Sequence, residues 1–426
     1  MSPFFGTGEW PDSWKIDFGL PLKKVAEPGN EDQIRIISLT PFFSKVFEKF
    51  VMEWLLDHIG HCIDWHQYGG QKGNGVAHYL IDFINFVQYN QDLKNIHAVL
   101  AVAIDFSKAF NRQNHSILVT LLSDLGTPGW LLRLVMGFLE NRELVVSYKG
   151  ETSERLNLPG GGPQGTILGM FLFLILINAA GFRDAIKNTG EIITNPLNKR
   201  KAIPNIHLKF IDDMTVAEAI DLKSKLVPNP NPPPKPTLYH DRTGIVLGDD
   251  QSQVQDLLKE LKSFTDVHQM QLNQDKTKVI LFNTSRNYDF PPELKFDDDS
   301  TLEVVEELRL LGVVVTSNLS WQPHVDLMCK KAFTRMWMLR RLKPLGASVK
   351  ELLEVYQTQI RCLLEFAVAA WNSGLNKAQV KQLERVQKCA LAIIIEADYK
   401  SYDNALTTAN LNNLEEKVLS KCTIWS

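Results

Sequence analysis

Cysteine is scarce in this chain of 426 residues, and the five that occur lie far apart. They are Cys62, Cys329, Cys362, Cys389 and Cys422. None belongs to a Cys-x-x-Cys pair, which argues against a disulfide framework and against a zinc knuckle. We therefore expect reduced thiols and an intracellular protein, in the nucleus or the cytoplasm.

Long hydrophobic runs are also missing. No apolar segment follows a basic N-terminus, so the sequence does not predict a secretory signal. The most apolar run, residues 170–181, has about a dozen residues, and a membrane-spanning helix needs about 20. This run is typical of a buried helix, and we expect no association with a membrane.

An excess of positive charge is absent from the whole chain, whose formal net charge is −3. The local distribution differs, because residues 321–393 contain twelve Lys or Arg and only five Asp or Glu. Leu352, Leu353, Tyr356 and Ile360 repeat there at helical spacing, which predicts a basic helical region. The charges indicate either an ordinary solvated surface or a surface that follows nucleic-acid phosphates.

Three short stretches carry the chemistry. Asp105 ends the apolar run 99–104, and Asp212 with Asp213 follows the apolar run 206–211. Between them, Pro-Gln-Gly-Thr at 163–166 opens the long apolar segment. The pattern predicts two strands that end in carboxylates, and a hairpin with the Asp pair at its turn.

Carboxylates in this arrangement suit nucleotidyl transfer. Two Mg²⁺ ions about 4 Å apart can activate a 3′-hydroxyl and bind a triphosphate. Asp105 and Asp212 would share such ions if their strands are neighbours, whereas Asp213 would point to the other face and support them. A single Asp after a strand is usually a cap or turn residue, so only the combination favours a metal site.

Ordered blocks from about residue 14 to the C-terminus resemble the reverse transcriptases of non-LTR (LINE-type) retrotransposons. The blocks are Arg-Ile-Ile-Ser-Leu at 35–39, Gln-Tyr-Gly at 67–69, Asp-Phe-Ser-Lys-Ala-Phe at 105–110 with His115, Pro-Gln-Gly-Thr-Ile-Leu-Gly at 163–169, Phe-Ile-Asp-Asp at 210–213, Leu-Asn at 272–273 with Lys-Thr-Lys at 276–278, and residues 311–321 with His324. The resemblance implies an α+β right-hand polymerase with fingers, a palm built on an antiparallel sheet, and a helical thumb. The expected boundaries are 14–98 for fingers, 99–320 for the palm with further fingers elements and a proline-rich insertion at about 226–250, and 321–426 for the basic thumb.

The resemblance also implies roles for single residues. Asp105, Asp212 and Asp213 would bind two Mg²⁺ ions, with Mn²⁺ as an alternative, and Lys276 would protonate the pyrophosphate leaving group. The substrate-binding residues would be Arg35 on the triphosphate, Phe110 against the sugar as a barrier to a 2′-hydroxyl, Gln164 on the incoming nucleotide, and Gly165 where the backbone approaches the nascent base pair. The expected partners are an RNA template, a DNA primer and dNTPs, with no protein partner evident.

Several positions depart from the family pattern. Ile211 stands where Ala is usual, Asn111 and Ala179 replace Asp residues, and Ile36 occupies a Pro position. Residues 69–72 read Gly-Gly-Gln-Lys, where an aromatic residue and an Arg are more typical. None of these changes removes an expected metal ligand, so they are compatible with an active polymerase or with a decaying copy.

The function predicted from the sequence is RNA-directed DNA synthesis. The first alternative is a catalytically inactive, retroelement-derived protein that still binds nucleic acid. A two-metal nuclease is a weaker alternative, because it gives no reason for Phe110, Gln164 and Lys276. An RNA-dependent RNA polymerase is disfavoured, since Phe210 and Ile211 precede the Asp pair where Gly would be typical. The chain leaves no room for an endonuclease, so we expect an isolated polymerase region or a truncated reading frame.

Overall fold

The computed structural model describes residues 7–30, 33–93, 96, 98–107, 110, 113–158, 160–179, 205–220, 226–228, 245–247, 253–283, 293–296, 301–396 and 399–414. The strands within these ranges are β1 Ile16–Lys23, β2 Ile34–Leu39, β3 Ala98–Ile104, β4 Arg142–Tyr148, β5 Glu151–Thr152, β6 Leu156–Leu158, β7 Asn205–Phe210, β8 Asp213–Ile220, β9 Leu226–Pro228, β10 Ile245–Leu247, β11 Lys278–Asn283, β12 Glu303–Val304, β13 Glu307–Leu310 and β14 Val313–Thr316. The α-helices are α1 Phe42–Ile59, α2 Val76–Gln91, α3 His115–Asp124, α4 Gly129–Leu139, α5 Ile167–Asn178, α6 Gln253–Val267, α7 Gln322–Arg335, α8 Trp337–Leu342, α9 Val349–Val355, α10 Cys362–Leu364, α11 Val368–Trp371, α12 Lys377–Ile395 and α13 Tyr402–Ala409.

A five-stranded sheet in the order β12-β11-β3-β8-β7 lies at the centre of the fold. The pairs β11-β3, β3-β8 and β8-β7 are antiparallel, as the predicted palm requires. A second sheet in the order β2-β1-β4-β5, with β6 on β4, contains the N-terminal strands. The α+β right-hand architecture expected from the sequence is confirmed; the domain boundaries stay a prediction.

Helices cover both faces of the central sheet. In β3, Leu100 and Val102 face a core shared with α1 and α3 to α6, whereas Val99 and Ala101 face a core shared with α2 and the C-terminal helices. A strand covered on both faces reads as a continuous apolar run, which explains the pattern at 99–104. No helix in the described ranges is long and apolar enough to cross a bilayer.

Helix α1 does not bury one continuous apolar face. Val46 and Phe50 are exposed, whereas the buried residues include Glu48 and Val51. Glu48 is buried because its Oε2 accepts hydrogen bonds from the backbone N–H of Ile167 at 2.8 Å and of Leu168 at 3.2 Å, the free donors at the start of α5.

One predicted element needs correction, namely the hairpin that carries the Asp pair. The turn consists of Ile211 and Asp212, and Asp213 is already the first residue of β8, paired with Phe210. The proline-rich insertion falls largely on residues 229–244, which lie outside the described residues; the strands β9 and β10 on either side of it pair antiparallel.

Candidate active site

Asp105 follows the last residue of β3, beside the strand that begins with Asp213. Ile104 pairs with Met214, so continuing the register by one residue places Asp105 across from Asp213. The backbone N–H of Asp105 donates to Thr277 Oγ1 at 3.3 Å, and its carbonyl accepts from Asn273 N–H at 2.8 Å. The segment that carries Lys276 is thereby attached to the end of β3.

The Asp105 carboxylate has an oxygen with no hydrogen-bond partner. Asp105 Oδ2 is buried and unbonded, and Lys276 Nζ lies 3.6 Å from it. Lys276 itself is largely exposed, so its ammonium is free to turn toward solvent or a ligand. A buried carboxylate oxygen without a donor is a natural ligand for a hard cation.

Electrostatic repulsion links the three carboxylates. Burial raises the pKa of Asp212, the charge of Asp105 raises it further, and Arg35 lowers it. Burial and the charges of Asp212 and Asp105 raise the pKa of Asp213 to about 6. The structure therefore brings Asp105, Asp212, Asp213 and Arg35 into one electrostatic neighbourhood, in which a divalent cation would relieve the repulsion.

The turn before Asp212 has an unusual backbone. Ile211 has φ 60°, a left-handed conformation that is costly for a β-branched residue. Gln67, which is fully buried, holds this conformation: its Oε1 accepts from Ile211 N–H at 2.9 Å and from Gly69 N–H at 3.1 Å. A Cβ at Gly69 would lie 2.6 Å from Ile211 Cγ1 and 2.7 Å from the Ile211 backbone nitrogen, so glycine at 69 lets this segment approach the turn closely.

Gly165 joins the central part of the fold to the N-terminal sheet. Its φ is 114°, and a Cβ there would lie 2.7 Å from the Ser38 carbonyl oxygen. The Ser38 N–H donates to the Gln164 carbonyl at 2.7 Å, so the Pro-Gln-Gly-Thr loop is tied to β2, the strand that also carries Arg35. The need for glycine at 165 is thus explained by Ser38, and its expected role at the nascent base pair stays a prediction.

Phe110 packs on α5. Its ring centroid lies 4.3 Å from that of Phe173, and its carbonyl accepts from Gly162 N–H at 2.7 Å. Phe110 is half-buried, so part of the ring is exposed beside the loop that precedes Gln164. This position is compatible with the predicted barrier and equally with core packing. Lys108 and Asn111 lie outside the described residues.

A buried polar cluster beneath the turn was missed in the sequence. His66, His207 and Lys209 are buried next to Gln67, and the side chain of Asp64, which they surround, is 7% exposed. The signal was present in β7, where His207 and Lys209 alternate with Leu208 and Phe210 and must share one face. Two polar residues on a buried face require partners from elsewhere in the chain, and residues 64–67 supply them.

Residues 23–225 match the family profile described as "Reverse transcriptase (RNA-dependent DNA polymerase)". The RNA-directed DNA polymerase from mobile element jockey of Drosophila melanogaster is 28% identical over 171 residues, which cover 39% of this chain and 18% of that protein. The probable RNA-directed DNA polymerase from transposon BS of the same species is 21% identical over 419 residues, or 96% of this chain and 41% of the relative. The chain thus spans less than half the length of these relatives.

Among solved structures, the chain is similar to telomerase from Candida tropicalis in complex with a fragment of telomeric RNA. The TM-score is 0.42 at 10% sequence identity, and the match covers 98% of this chain and 65% of the telomerase chain. Telomerase from Candida albicans gives a TM-score of 0.41 at 11% identity over 95% of this chain.

The antiparallel central sheet carries Asp212 and Asp213 at one hairpin and Asp105 at the end of the neighbouring strand, near Arg35, and this is the architecture of a polymerase palm. The profile match and the retroelement relatives make the class more specific. Residues 23–225 match the reverse transcriptase family, and the similarity to mobile-element polymerases along most of the chain supports a reverse transcriptase of the LINE type.

Proposed function

We propose that this chain extends a DNA primer on an RNA template, using dNTPs. The observation that carries the proposal is the meeting of Asp105, Asp212 and Asp213 at the end of β3 and the β7-β8 turn, where the charge of Asp105 raises the pKa of Asp212 and both charges raise the pKa of Asp213. Such crowding is unfavourable without a cation, and a nucleotidyl-transfer site accounts for it.

Asp105, Asp212 and Asp213 would hold two Mg²⁺ ions. The donor set consists of carboxylate oxygens, which Mg²⁺ prefers, and the unbonded Oδ2 of Asp105 is available to a cation. When bound, the ions would lower the pKa of the primer 3′-hydroxyl and neutralise negative charge on the triphosphate.

The protein's own side chains would position the substrate. Arg35 is close enough to Asp212 to lower its pKa, so its guanidinium can bind triphosphate oxygens beside the metal ligands. Lys276 lies near Asp105 and is exposed, so its ammonium can donate a proton to the departing pyrophosphate. Gln164, in the loop tied to β2, would contact the incoming nucleotide, and Phe110 would lie against its sugar.

Nucleic-acid binding is proposed for the exposed cations of the C-terminal helices. Eight of the twelve are exposed: Lys330, Arg340, Arg341, Lys350, Lys377, Lys381, Arg385 and Lys388. Arg361 does not belong to this surface, because it is buried and paired with Glu365 at 2.6 Å. Binding through such cations would weaken steeply as salt is raised, since it releases counterions from the phosphates.

A catalytically inactive nucleic-acid-binding protein is the second candidate. The observation in its favour is Ile211, a β-branched residue in a left-handed conformation directly before Asp212. Strain at this position would displace the carboxylate if Gln67 failed to hold the turn.

Primer extension on an RNA template distinguishes the two candidates. The wild type should extend with dNTPs, and Asp212→Asn should lose about 1000-fold or more of the rate while still binding the duplex. Asp266→Asn is the control, because Asp266 is an exposed carboxylate paired with Lys262 on α6 and should extend normally. Duplex binding without extension by the wild type would favour the inactive candidate, and equal rates for wild type and Asp212→Asn would contradict the metal assignment.

A further inference from the structure

A second group of metal-ligating side chains lies beneath the catalytic turn, and we call it the Asp64 cluster. It consists of Asp64, His66 and His207, whose ligand atoms all lie within 4.8 Å of one another. The side chains are 7%, 4% and 4% exposed, respectively. His207 Nε2 lies 3.1 Å from Asp64 Oδ2, and His66 Nδ1 lies 3.6 Å from Asp64 Oδ1. The cluster is thus enclosed by protein.

One atom of the cluster has no partner. His66 Nδ1 is buried and makes no hydrogen bond, since 3.6 Å from Asp64 Oδ1 is too long for one. When the proton is on Nε2, Nδ1 presents a lone pair toward the carboxylate and the second imidazole. A buried imidazole nitrogen that is left unbonded beside two further donors is an arrangement that a metal ion completes.

We propose that Asp64, His66 and His207 bind one d-block divalent cation of the Zn²⁺ class. Two imidazoles and one carboxylate suit Zn²⁺ or Co²⁺, whereas Mg²⁺ favours the all-oxygen set at the catalytic turn. Three protein ligands leave a fourth position for water, as in tetrahedral zinc sites. The two sites therefore differ in donor chemistry and select different ions.

Lys209 sets the affinity of this site. Its Nζ lies 3.2 Å from Asp64 Oδ2, so an ammonium already neutralises the carboxylate in the metal-free protein. A bound cation would take Asp64 Oδ1, His66 Nδ1 and His207 Nε2, and the neutral His207 imidazole would then carry its proton on Nδ1 instead of Nε2. Because the ammonium repels the metal, replacing Lys209 by an uncharged residue of similar length should tighten binding.

The Asp64 cluster lies between two segments that lead to the β7-β8 turn, so a bound metal would affect the stability of that turn. His66 directly precedes Gln67, whose side-chain Oε1 accepts a hydrogen bond from Ile211 N–H. His207 lies on β7, about 10 Å along the strand from Phe210, the last residue before the turn. A cation would join these two segments and stabilise the folded protein by mass action. The metal would therefore restrict the motion of Gln67 and β7, which hold the turn, without contacting the substrate.

Co²⁺ titration tests the proposal independently of polymerase activity. The parent protein should be Asp105→Asn combined with Asp212→Asn, in excess Mg²⁺, so that the catalytic carboxylates do not contribute. We expect one equivalent of Co²⁺ to produce visible absorption bands of a nitrogen-ligated ion, and Zn²⁺ to displace it and raise the Tm. His66→Gln should weaken binding by about 100-fold or more, and Lys209→Met should tighten it by about tenfold.

His61→Gln is the matched control. His61 lies beside Cys62 on the surface, with the imidazole 3.3 Å from the thiol, and this pair is the obvious competitor for a d-block ion. Binding that persists in His61→Gln supports the Asp64 cluster. The proposal is overturned if the folded parent binds no Co²⁺, if His66→Gln binds as tightly as the parent, or if His61→Gln abolishes binding.

Discussion

The Asp64 cluster and the three carboxylates at the β7-β8 turn differ in how their negative charge is balanced. At the Asp64 cluster, burial would raise the pKa of Asp64, but the His207 hydrogen bond, the nearby His66 imidazole and the Lys209 ammonium hold it well below its usual range. At the catalytic turn, burial and mutual repulsion raise the pKa of Asp212 and Asp213, and Arg35 offsets only part of this for Asp212.

The difference separates a carboxylate that the protein neutralises with its own cation from carboxylates that repel one another. Asp64 is satisfied by the protein itself and contributes to the attachment of residues 64–69 along the edge strand β7. At the β7-β8 turn, Asp105 Oδ2 is buried without a hydrogen bond, and the proposed Mg²⁺ ions would supply the positive charge that balances Asp105, Asp212 and Asp213. Gln67 connects the two groups, because it directly follows His66 of the Asp64 cluster and its Oε1 accepts a hydrogen bond from Ile211 N–H in the turn that contains Asp212.

Removal of the Asp64 carboxylate should have the largest effect on stability. Asp64→Ala leaves Lys209 buried without its carboxylate, and loss of one partner from a buried ion pair costs about 3–5 kcal/mol. Asp213→Ala is the matched control, and it should cost far less because it removes a repelled carboxylate. Urea unfolding measures both, and equal losses would show that the two clusters do not differ in this way.

Gln67 tests whether the turn depends on its support. Gln67→Leu leaves Ile211 N–H and Gly69 N–H without their buried acceptor, at a cost of about 1–3 kcal/mol. Extension should slow more than the stability loss explains, because Asp212 is adjacent to Ile211.

The control for Gln67 is Gln255→Leu. Gln255 also exchanges two hydrogen bonds with backbone, at Lys295, away from the turn. A similar loss of stability with a normal extension rate is expected there. Equal effects of both variants on kcat would indicate that Gln67 acts only on stability.

The two groups also differ in how much of each the sequence predicts. Asp105, Asp212 and the strands that carry them could be predicted, because an apolar run that ends in Asp is a local pattern and the ordered blocks resemble one family. The Asp64 cluster could not, since its partners are about 140 residues apart and only the alternation in β7 hints at it. Likewise, the turn was misplaced by one residue because Ile211 adopts a conformation that its side chain disfavours.

The pH dependence of stability should have opposite signs at the two clusters. Asp213 has a pKa raised to about 6 in the folded protein, so its contribution is complete below the unfolded value of 3.8 and is lost as pH rises toward 6 and above. Asp64 has a lowered pKa, so its contribution is present above the unfolded value of 3.8 and declines only as pH falls below it.

Asp213→Asn isolates the first of these effects. Relative to wild type, the variant should gain stability between pH 4 and pH 7 in the absence of divalent ions. Saturating Mg²⁺ should remove this gain, because the ion neutralises the carboxylates in the wild type. Urea midpoints at four pH values, with and without Mg²⁺, provide the measurement. A gain that is independent of both pH and Mg²⁺ would contradict the proposed repulsion.

Ile211→Gly should have the smallest net effect on stability. Glycine removes a left-handed strain of about 1–2 kcal/mol but adds about 0.5–1 kcal/mol of backbone entropy, and the half-buried Ile side chain is lost. The informative quantity is the coupling with Gln67→Leu in a double-mutant cycle. If Gln67 holds a strained turn, its removal should cost less when residue 211 is Gly, because the relaxed turn can turn its N–H toward solvent. If the two changes in the free energy of unfolding are additive, Gln67 and Ile211 act independently. Asp212 would then be positioned without the help of the segment that contains Gln67.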